Sequence, residues 1–201
     1  MNEQAQVSLL LAGPGIIATL TFAPLVIALF YSAKFAEAVE VLRWICVGMA
    51  LRVITWPMGF IILAKNRQLI FFGAELAWTL VNVGLVWLCI GRFGLNGAGI
   101  GFLGSYVFHG FLIYPIVRVL SGFRWSTTNR KTGLLFLTSI AVVFWGFYLL
   151  PPPWAAGLGA TVTVLSGLYS IRSLLNLLSV DQIPERIRRL LMWFRFDLRG
   201  S

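Results

Sequence analysis

Hydrophobic residues gather into six long stretches of the chain, and short polar segments separate these stretches. A helix needs about 20 consecutive, mostly apolar residues to cross the hydrocarbon core of a bilayer. The pattern therefore predicts an all-α, polytopic membrane helix bundle with about six transmembrane helices. The predicted spans are residues 7–31, 44–64, 69–91, 97–120, 133–150 and 154–178.

Prolines interrupt several of these stretches. Pro14 and Pro24 lie in the first predicted span, Pro57 lies in the second and Pro115 lies in the fourth. Each removes a helical hydrogen bond and predicts a kink. Kinked helices line cavities in many transporters, but they also occur in inert bundles, so the prolines favour transport only weakly. Residues 151–153 are all proline, and no helix continues through such a run, so they separate the last two spans.

Polar residues predict two segments at the membrane surface. Glu37, Glu40 and Arg43 recur at every third position. The second span is therefore predicted to begin as a helix near Phe35, outside the membrane, with one polar stripe. Residues 181–201 combine apolar positions at helical spacing with several arginines, which predicts a basic amphipathic tail on the inner leaflet. A partly disordered basic tail is the alternative.

The low content of charged residues indicates that the chain is a membrane protein. Only 11% of the residues are charged, with a net charge of +9, whereas soluble domains have about 25% charged residues. If the N-terminus is cytoplasmic, twelve of the sixteen Lys and Arg residues fall in inner segments and only Lys34, Arg43 and Arg92 fall outside. This asymmetry predicts that both termini are cytoplasmic. The basic residues then face anionic lipid, and no nucleic-acid partner is expected.

Groups that carry catalysis or bind metals are sparse. The seven acidic residues form no DxxD pair, and His109, the single histidine, has no acid near it in sequence. Cys46 and Cys89 lie in separate apolar runs, which is typical of small buried residues. The sequence therefore predicts neither an enzyme nor a metal site, and it implies no cofactor.

Glycines in the fourth span match a nucleotide-binding pattern by coincidence. Residues 99–104 read GIGFLG, which is GxGxxG, but a dinucleotide site needs a strand before it and a soluble βαβ unit around it. This segment is apolar throughout. Gly97 and Gly101 also form GxxxG, a spacing that lets two membrane helices approach closely. Gly97, Gly101 and Gly104 are therefore predicted to serve helix packing.

Two charged residues lie inside predicted spans, Arg52 in the second and Glu75 in the third. A central arginine costs about 2.5–3.5 kcal/mol on insertion, and each large aliphatic residue or Phe returns about 0.3–0.6 kcal/mol. The second span has nine such residues, which can offset the arginine. The span can therefore insert, provided that Arg52 faces the bundle interior or a wet cavity.

Glu75 is the candidate partner of Arg52, because their spans are antiparallel neighbours joined by a short turn. At about 1.5 Å per residue, Arg52 lies about 18 Å and Glu75 about 9 Å from the inner end. The long Arg side chain covers part of that gap, and Lys65 competes for Glu75 from below. A structural ion pair and an anion path lined by Arg52, Glu75, Lys65 and His109 both remain open, and the two are compatible.

The order of these features resembles a known family. Residues 9–44, with Pro14, then Leu29 and Phe30, then Phe35, are similar to the third helix of a lobe in the multidrug/oligosaccharidyl-lipid/polysaccharide exporter superfamily. The stretches WPMGFIILAKNRQLIFFGAELAWTLVNVGLVW and GLNGAGIGFLGSYVFHGFLIYPIVRVLSGFRWS resemble bacterial O-antigen-type polysaccharide flippases. The resemblance covers residues 7–126, whereas the rest fits only generally, as two added C-terminal helices.

This resemblance implies a multi-pass protein of the bacterial inner membrane with two six-helix lobes around a cationic cavity. It implies flipping of undecaprenyl-pyrophosphate-linked oligosaccharide by alternating access, for polysaccharide, O-antigen and lipopolysaccharide synthesis. An ion gradient would drive the flipping. Arg52 would be a candidate cavity cation.

Full members of the family have about twelve to fourteen helices, so the chain is expected to be a C-terminal fragment. Residues 1–126 would be second-lobe helices, 127–180 two additional spans and 181–201 the cytoplasmic tail. A missing N-terminal lobe, in cis or in trans, would complete the exporter. The alternatives are a peptidoglycan-precursor flippase, a drug exporter, or a structural membrane protein that holds glycan polymerases or transferases together.

Overall fold

The computed structural model describes residues 2–31 and 33–177 of the 201-residue chain. These residues form seven α-helices and a short 3-10 turn, and they include no β-strand. All the helices except the eight-residue α2 are long and apolar enough to cross a bilayer. The predicted all-α, polytopic membrane bundle is therefore confirmed. The helices are α1 (Asn2–Thr21), α2 (Ala23–Phe30), α3 (Ala38–Ala64), α4 (Gln68–Phe93), α5 (Asn96–Ser121), α6 (Thr127–Leu149) and α7 (Pro152–Leu177).

Most helix bounds follow the apolar stretches of the sequence. Helices α4, α5 and α7 match their predicted spans within two residues at each end, whereas α3 and α6 each begin six residues early. At α6 the early start has a clear cause, because the Ser126 side chain accepts a hydrogen bond of 3.1 Å from the Asn129 backbone N–H. Such an N-cap lets the helix begin in polar sequence. The predicted tail helix at 181–201 lies outside the described residues.

The prediction of one continuous first span over residues 7–31 is wrong. Helix α1 ends at Thr21, and Phe22 interrupts the helix with φ −96° and ψ 22°. Pro24 follows in the first turn of α2, where its missing N–H costs no hydrogen bond. The apolar run is therefore a 20-residue spanning helix followed by a separate eight-residue helix.

Three of the remaining prolines lie inside helices, and the run of three prolines lies at the boundary between two helices. Pro14, Pro57 and Pro115 lie inside α1, α3 and α5, respectively. The run of three prolines separates α6 from α7, as predicted, because α6 ends at Leu149 and α7 begins at Pro152.

The predicted helix start near Phe35 lies within three residues of the observed one, and the polar stripe after it is partly buried. Residues Ala33–Phe35 form a 3-10 turn, and α3 begins at Ala38. Arg43 is only 8% exposed; it pairs with Glu40 and lies 3.9 Å from the centre of the Phe147 ring. The Tyr148 hydroxyl donates a 2.7 Å hydrogen bond to Glu40. This network joins the start of α3 to the end of α6.

Helix α5 lies between α3 and α4 and packs extensively against both, whereas α3 and α4 have little contact although they follow each other in the chain. Helix α1 packs against α3, α6 and α7. Helix α3 is therefore shared by two groups of helices. One core lies between α1, α3 and α6 and includes Ile17, Ala50 and Phe136. The other lies between α3 and α5 and includes Ile62 and Ile113.

Glycines set the distance between α4 and α5. A Cβ atom added at Gly101 would lie 2.7 Å from the Val86 Cα, and one at Gly97 would overlap the Cys89 carbonyl group. Side chains at these positions would push the two backbones apart. Gly104 is less restricted, because its added Cβ would meet only the Leu85 side chain, at 3.2 Å.

We predict that Gly101→Ala destabilises the protein relative to Gly84→Ala. Gly84 lies on α4 with no atom within 4 Å of an added Cβ, so both substitutions gain about 1 kcal/mol of helix propensity and only one creates a clash. Overpacking costs about 1–3 kcal/mol, so Gly101→Ala should have the lower melting temperature in detergent. A Gly101→Ala protein as stable as Gly84→Ala would contradict the close contact.

We predict that Glu40→Gln lowers the free energy of unfolding by about 1–3 kcal/mol, because it leaves the buried Arg43 charge without its anion. Thermal unfolding in lipid nanodiscs measures the change. Glu37→Gln is the matched control, since Glu37 is exposed and precedes α3. Equal melting temperatures for the two variants would exclude a stabilising role for the Glu40–Arg43 pair.

Candidate functional site

A polar cavity lies between α3, α4 and α5. It has a volume of about 120 Å³, and each of the three helices contributes an ionisable side chain: Arg52 from α3, Glu75 from α4 and His109 from α5. The rest of its wall is aromatic, apolar or weakly polar: Thr55, Trp56, Gly59, Phe71, Trp78, Tyr106 and Ile113. Ionisable residues inside a membrane bundle are expensive, and they commonly mark a functional path.

Arg52 lies near the middle of α3, which has 27 residues. Its face of the helix is not covered by protein, because Trp56, Phe60 and Leu63, which follow at helical spacing, are exposed as well. The guanidinium group lies 5.7 Å from the Trp56 ring centre, and Nη1 lies 4.0 Å from the Met49 sulfur. Neither contact neutralises the charge.

The ion pair between Arg52 and Glu75, one of the two interpretations that the sequence left open, is not formed. Within residues 2–31 and 33–177, no carboxylate lies within 4.0 Å of Arg52, and Lys65 does not reach Glu75 either. The expectation rested on α3 and α4 packing side by side, but α5 lies between them. Arg52 and Glu75 therefore face each other across the cavity instead of bonding directly.

His109 takes the place beside Glu75. Its Nε2 atom lies 3.5 Å from Glu75 Oε1, which is an ion-pair distance but long for an N–H···O hydrogen bond. His109 is only 6% exposed, whereas the Glu75 side chain is 39% exposed. The pair therefore has one buried member and one member that faces the opening of the cavity.

Two aromatic rings fix the orientation of the imidazole. The ring centres of Trp78 and Tyr106 lie 5.9 Å and 6.0 Å from that of His109, both in edge-on arrangements. They also contact each other, at 5.2 Å. The buried Trp78 indole N–H and both His109 ring nitrogens form no hydrogen bond. These three atoms are buried behind the cavity wall, and Glu75 Oε1 is the polar atom closest to the imidazole.

An apolar cleft adjoins this cavity. It has a volume of about 430 Å³, lies between α3, α5 and α6, and shares Thr55 and Tyr106 with the polar cavity as common walls. A second cleft of about 510 Å³ shares Ile54, Trp125 and Leu137 with the first, and its lining includes Arg130 and Lys131. The cavity that holds Arg52, Glu75 and His109 thus lies beside an apolar cleft that could accommodate a hydrocarbon chain.

The remaining residues predicted for a path or a site lie elsewhere. Lys65 is exposed just after the end of α3 and does not line the cavity. Pro14, Pro24 and Pro115 are not part of its wall, and Pro57 is close to it only through its position on α3. In the part of the chain that the structure describes, no group of three or more His, Cys, Asp or Glu residues could hold a metal ion.

Comparisons with protein-family models, with curated proteins and with solved structures give no match to this chain.

The sequence analysis missed the Glu75–His109 pair, because the register of α4 against α5 is visible only in the structure. Gly101 lies against Val86, and the two helices are antiparallel, so His109 lies opposite Trp78. Glu75 is three residues from Trp78, so it shares the same face of α4. The observed register and helical spacing together account for the contact.

Proposed function

We propose that the chain forms part of the translocation path of an exporter for an anionic, lipid-linked oligosaccharide. The observation that supports this most directly is the shared wall, at Thr55 and Tyr106, between a charged cavity and an apolar cleft. A lipid-linked glycan has a phosphate-bearing head and a long hydrocarbon chain. It therefore needs a polar and an apolar surface side by side.

Arg52 would contact the phosphate groups of this cargo. It is exposed near mid-helix and has no carboxylate partner among the described residues, so its fixed positive charge is available. Arginine binds phosphate oxygens through two parallel hydrogen bonds. An anionic head group passing Arg52 would offset the cost of holding that charge inside the membrane.

The resemblance of residues 7–126 to O-antigen-type flippases supports the same class of cargo, an undecaprenyl-pyrophosphate-linked oligosaccharide moved across the bacterial cytoplasmic membrane. A peptidoglycan precursor carries the same pyrophosphate and fits Arg52 equally well. A cationic drug fits poorly, because Arg52 would repel it.

The uncovered face of α3 supports the need for further helices. Arg52 and its exposed neighbours on α3 would meet lipid tails if nothing covered them, and α4 is itself almost entirely uncovered, with only 6% of its most apolar stretch buried. We therefore propose that a second lobe, on the same polypeptide or on another, closes the path on this side. Glycan polymerases or transferases would then deliver or receive the cargo at the membrane surface.

We predict that Arg52→Ala in the complete exporter lowers polysaccharide export about tenfold to hundredfold, because a hydrogen-bonded charge contact is worth about 1.5–3 kcal/mol. Arg52→Lys should restore part of the export, because lysine keeps the charge and loses the two-pronged geometry. Surface polysaccharide in a strain without its own flippase measures export, and immunoblots of membranes measure protein level.

Arg92→Ala is the matched control for this experiment. Arg92 is exposed in the last turn of α4, away from the cavity, so its removal should leave export unchanged. If export in the Arg52→Ala strain falls only in proportion to protein level, Arg52 is structural and the proposed path is wrong.

We also predict that the 201-residue chain alone restores no export in a flippase-null strain, because its charged cavity is open on one side. Co-expression with the helices that complete the exporter should restore export. Export by the chain alone, at levels similar to those of the complete exporter, would contradict the need for a second lobe.

A further inference from the structure

His109 is placed to exchange a proton inside the membrane bundle. Its ring is buried, neither nitrogen forms a hydrogen bond, and Nε2 lies 3.5 Å from Glu75 Oε1. The adjoining cavity of about 120 Å³ has room for about four water molecules, at about 30 Å³ each. Water in the cavity can reach the partly exposed Glu75 carboxylate, which lies beside the ring.

The charged and titratable groups around His109 come from both helices packed against α5. Helix α3 contributes Arg52, helix α4 contributes Glu75, and α5 itself contributes Tyr106. Arg52 is always charged. With Glu75 ionised and His109 neutral, Arg52 and Glu75 cancel, and one added proton gives the cavity a net charge of +1.

We propose that Glu75 and His109 form a binding site for a single proton. The proton passes from cavity water through the Glu75 carboxylate to His109 Nε2, which leaves Glu75 ionised beside the resulting imidazolium. A proton on His109 leaves an imidazolium beside a carboxylate, which attract each other at 3.5 Å, whereas a proton on Glu75 would leave no ion pair. A second proton would neutralise Glu75 and remove this stabilisation, so the pair holds one.

Proton binding at this site sets the charge that a ligand in the cavity meets. The proton-free cavity is neutral overall, whereas the proton-bound cavity attracts anions. This inference goes beyond the proposed function, since it depends only on the three side chains and holds whichever cargo the chain carries.

Nuclear magnetic resonance of labelled histidine tests the proposal directly. His109 is the single histidine of the chain, so ¹³C,¹⁵N-histidine in the full-length protein, purified without a histidine tag and placed in lipid nanodiscs, reports on this residue alone. We expect the imidazole signals to show one protonation step as the pH is lowered.

Two substitutions should move the midpoint of this step in opposite directions. Glu75→Gln removes the stabilising anion and should move it to lower pH by about one unit or more. Arg52→Gln removes the opposing cation and should move it to higher pH. Glu37→Gln, at an exposed position outside the cavity, should leave it unchanged.

The opposed shifts separate electrostatics from misfolding, since a general loss of structure would move both midpoints towards the value for free histidine. The proposal is overturned if His109 shows no protonation step while the protein stays folded, or if Glu75→Gln leaves the midpoint unchanged. Neither result depends on export, so the failure of this inference is distinguishable from the failure of the proposed function.

Discussion

The close approach of α4 to α5 determines how the polar residues of this bundle meet. Gly97 and Gly101 let the two backbones touch, and this contact fixes the register of the helix pair. Trp78 then lies opposite His109, and Glu75, one turn along α4, reaches the imidazole. In a membrane, where lipid offers no hydrophobic drive for helices to associate, such tight packing is a main source of specificity.

Helix α3 provides the cation of the polar cavity, Arg52. It packs on α5 through one face and on α1 and α6 through others, so it has few positions left uncovered. Arg52 occupies one of those positions, beside the cavity that α4 and α5 build. The site therefore combines a fixed cation from a well-supported helix with an acid and a base from a neighbouring helix pair.

The sequence predicted the number of spanning helices because the apolar stretches are long and the charged gaps between them are short. It failed at two places where local sequence does not decide the outcome. Phe22 ends α1 inside an unbroken apolar run, and only the position of Pro24 hinted at this. The partner of Glu75 depended on α5 lying between α3 and α4, and adjacency in sequence suggested the wrong neighbour.

The contact between α1 and α7 has a consequence for how the protein is made. Thr21 of α1 packs so tightly against Gly159 that an added Cβ there would lie 2.6 Å from the Thr21 methyl carbon. A membrane protein is inserted from its N-terminus onward, so α1 leaves the ribosome well over a hundred residues before α7. Until then Leu10 and Ile17 of α1 can pack only against the helices already made, α3 and later α6, and the face around Thr21 lacks its α7 partner. Helices α4 and α5, by contrast, are consecutive and can pair as soon as both are inserted. The pair that carries the acid and the base is thus complete early in biosynthesis, and the docking of α7 on α1 is the last event in assembling the described bundle.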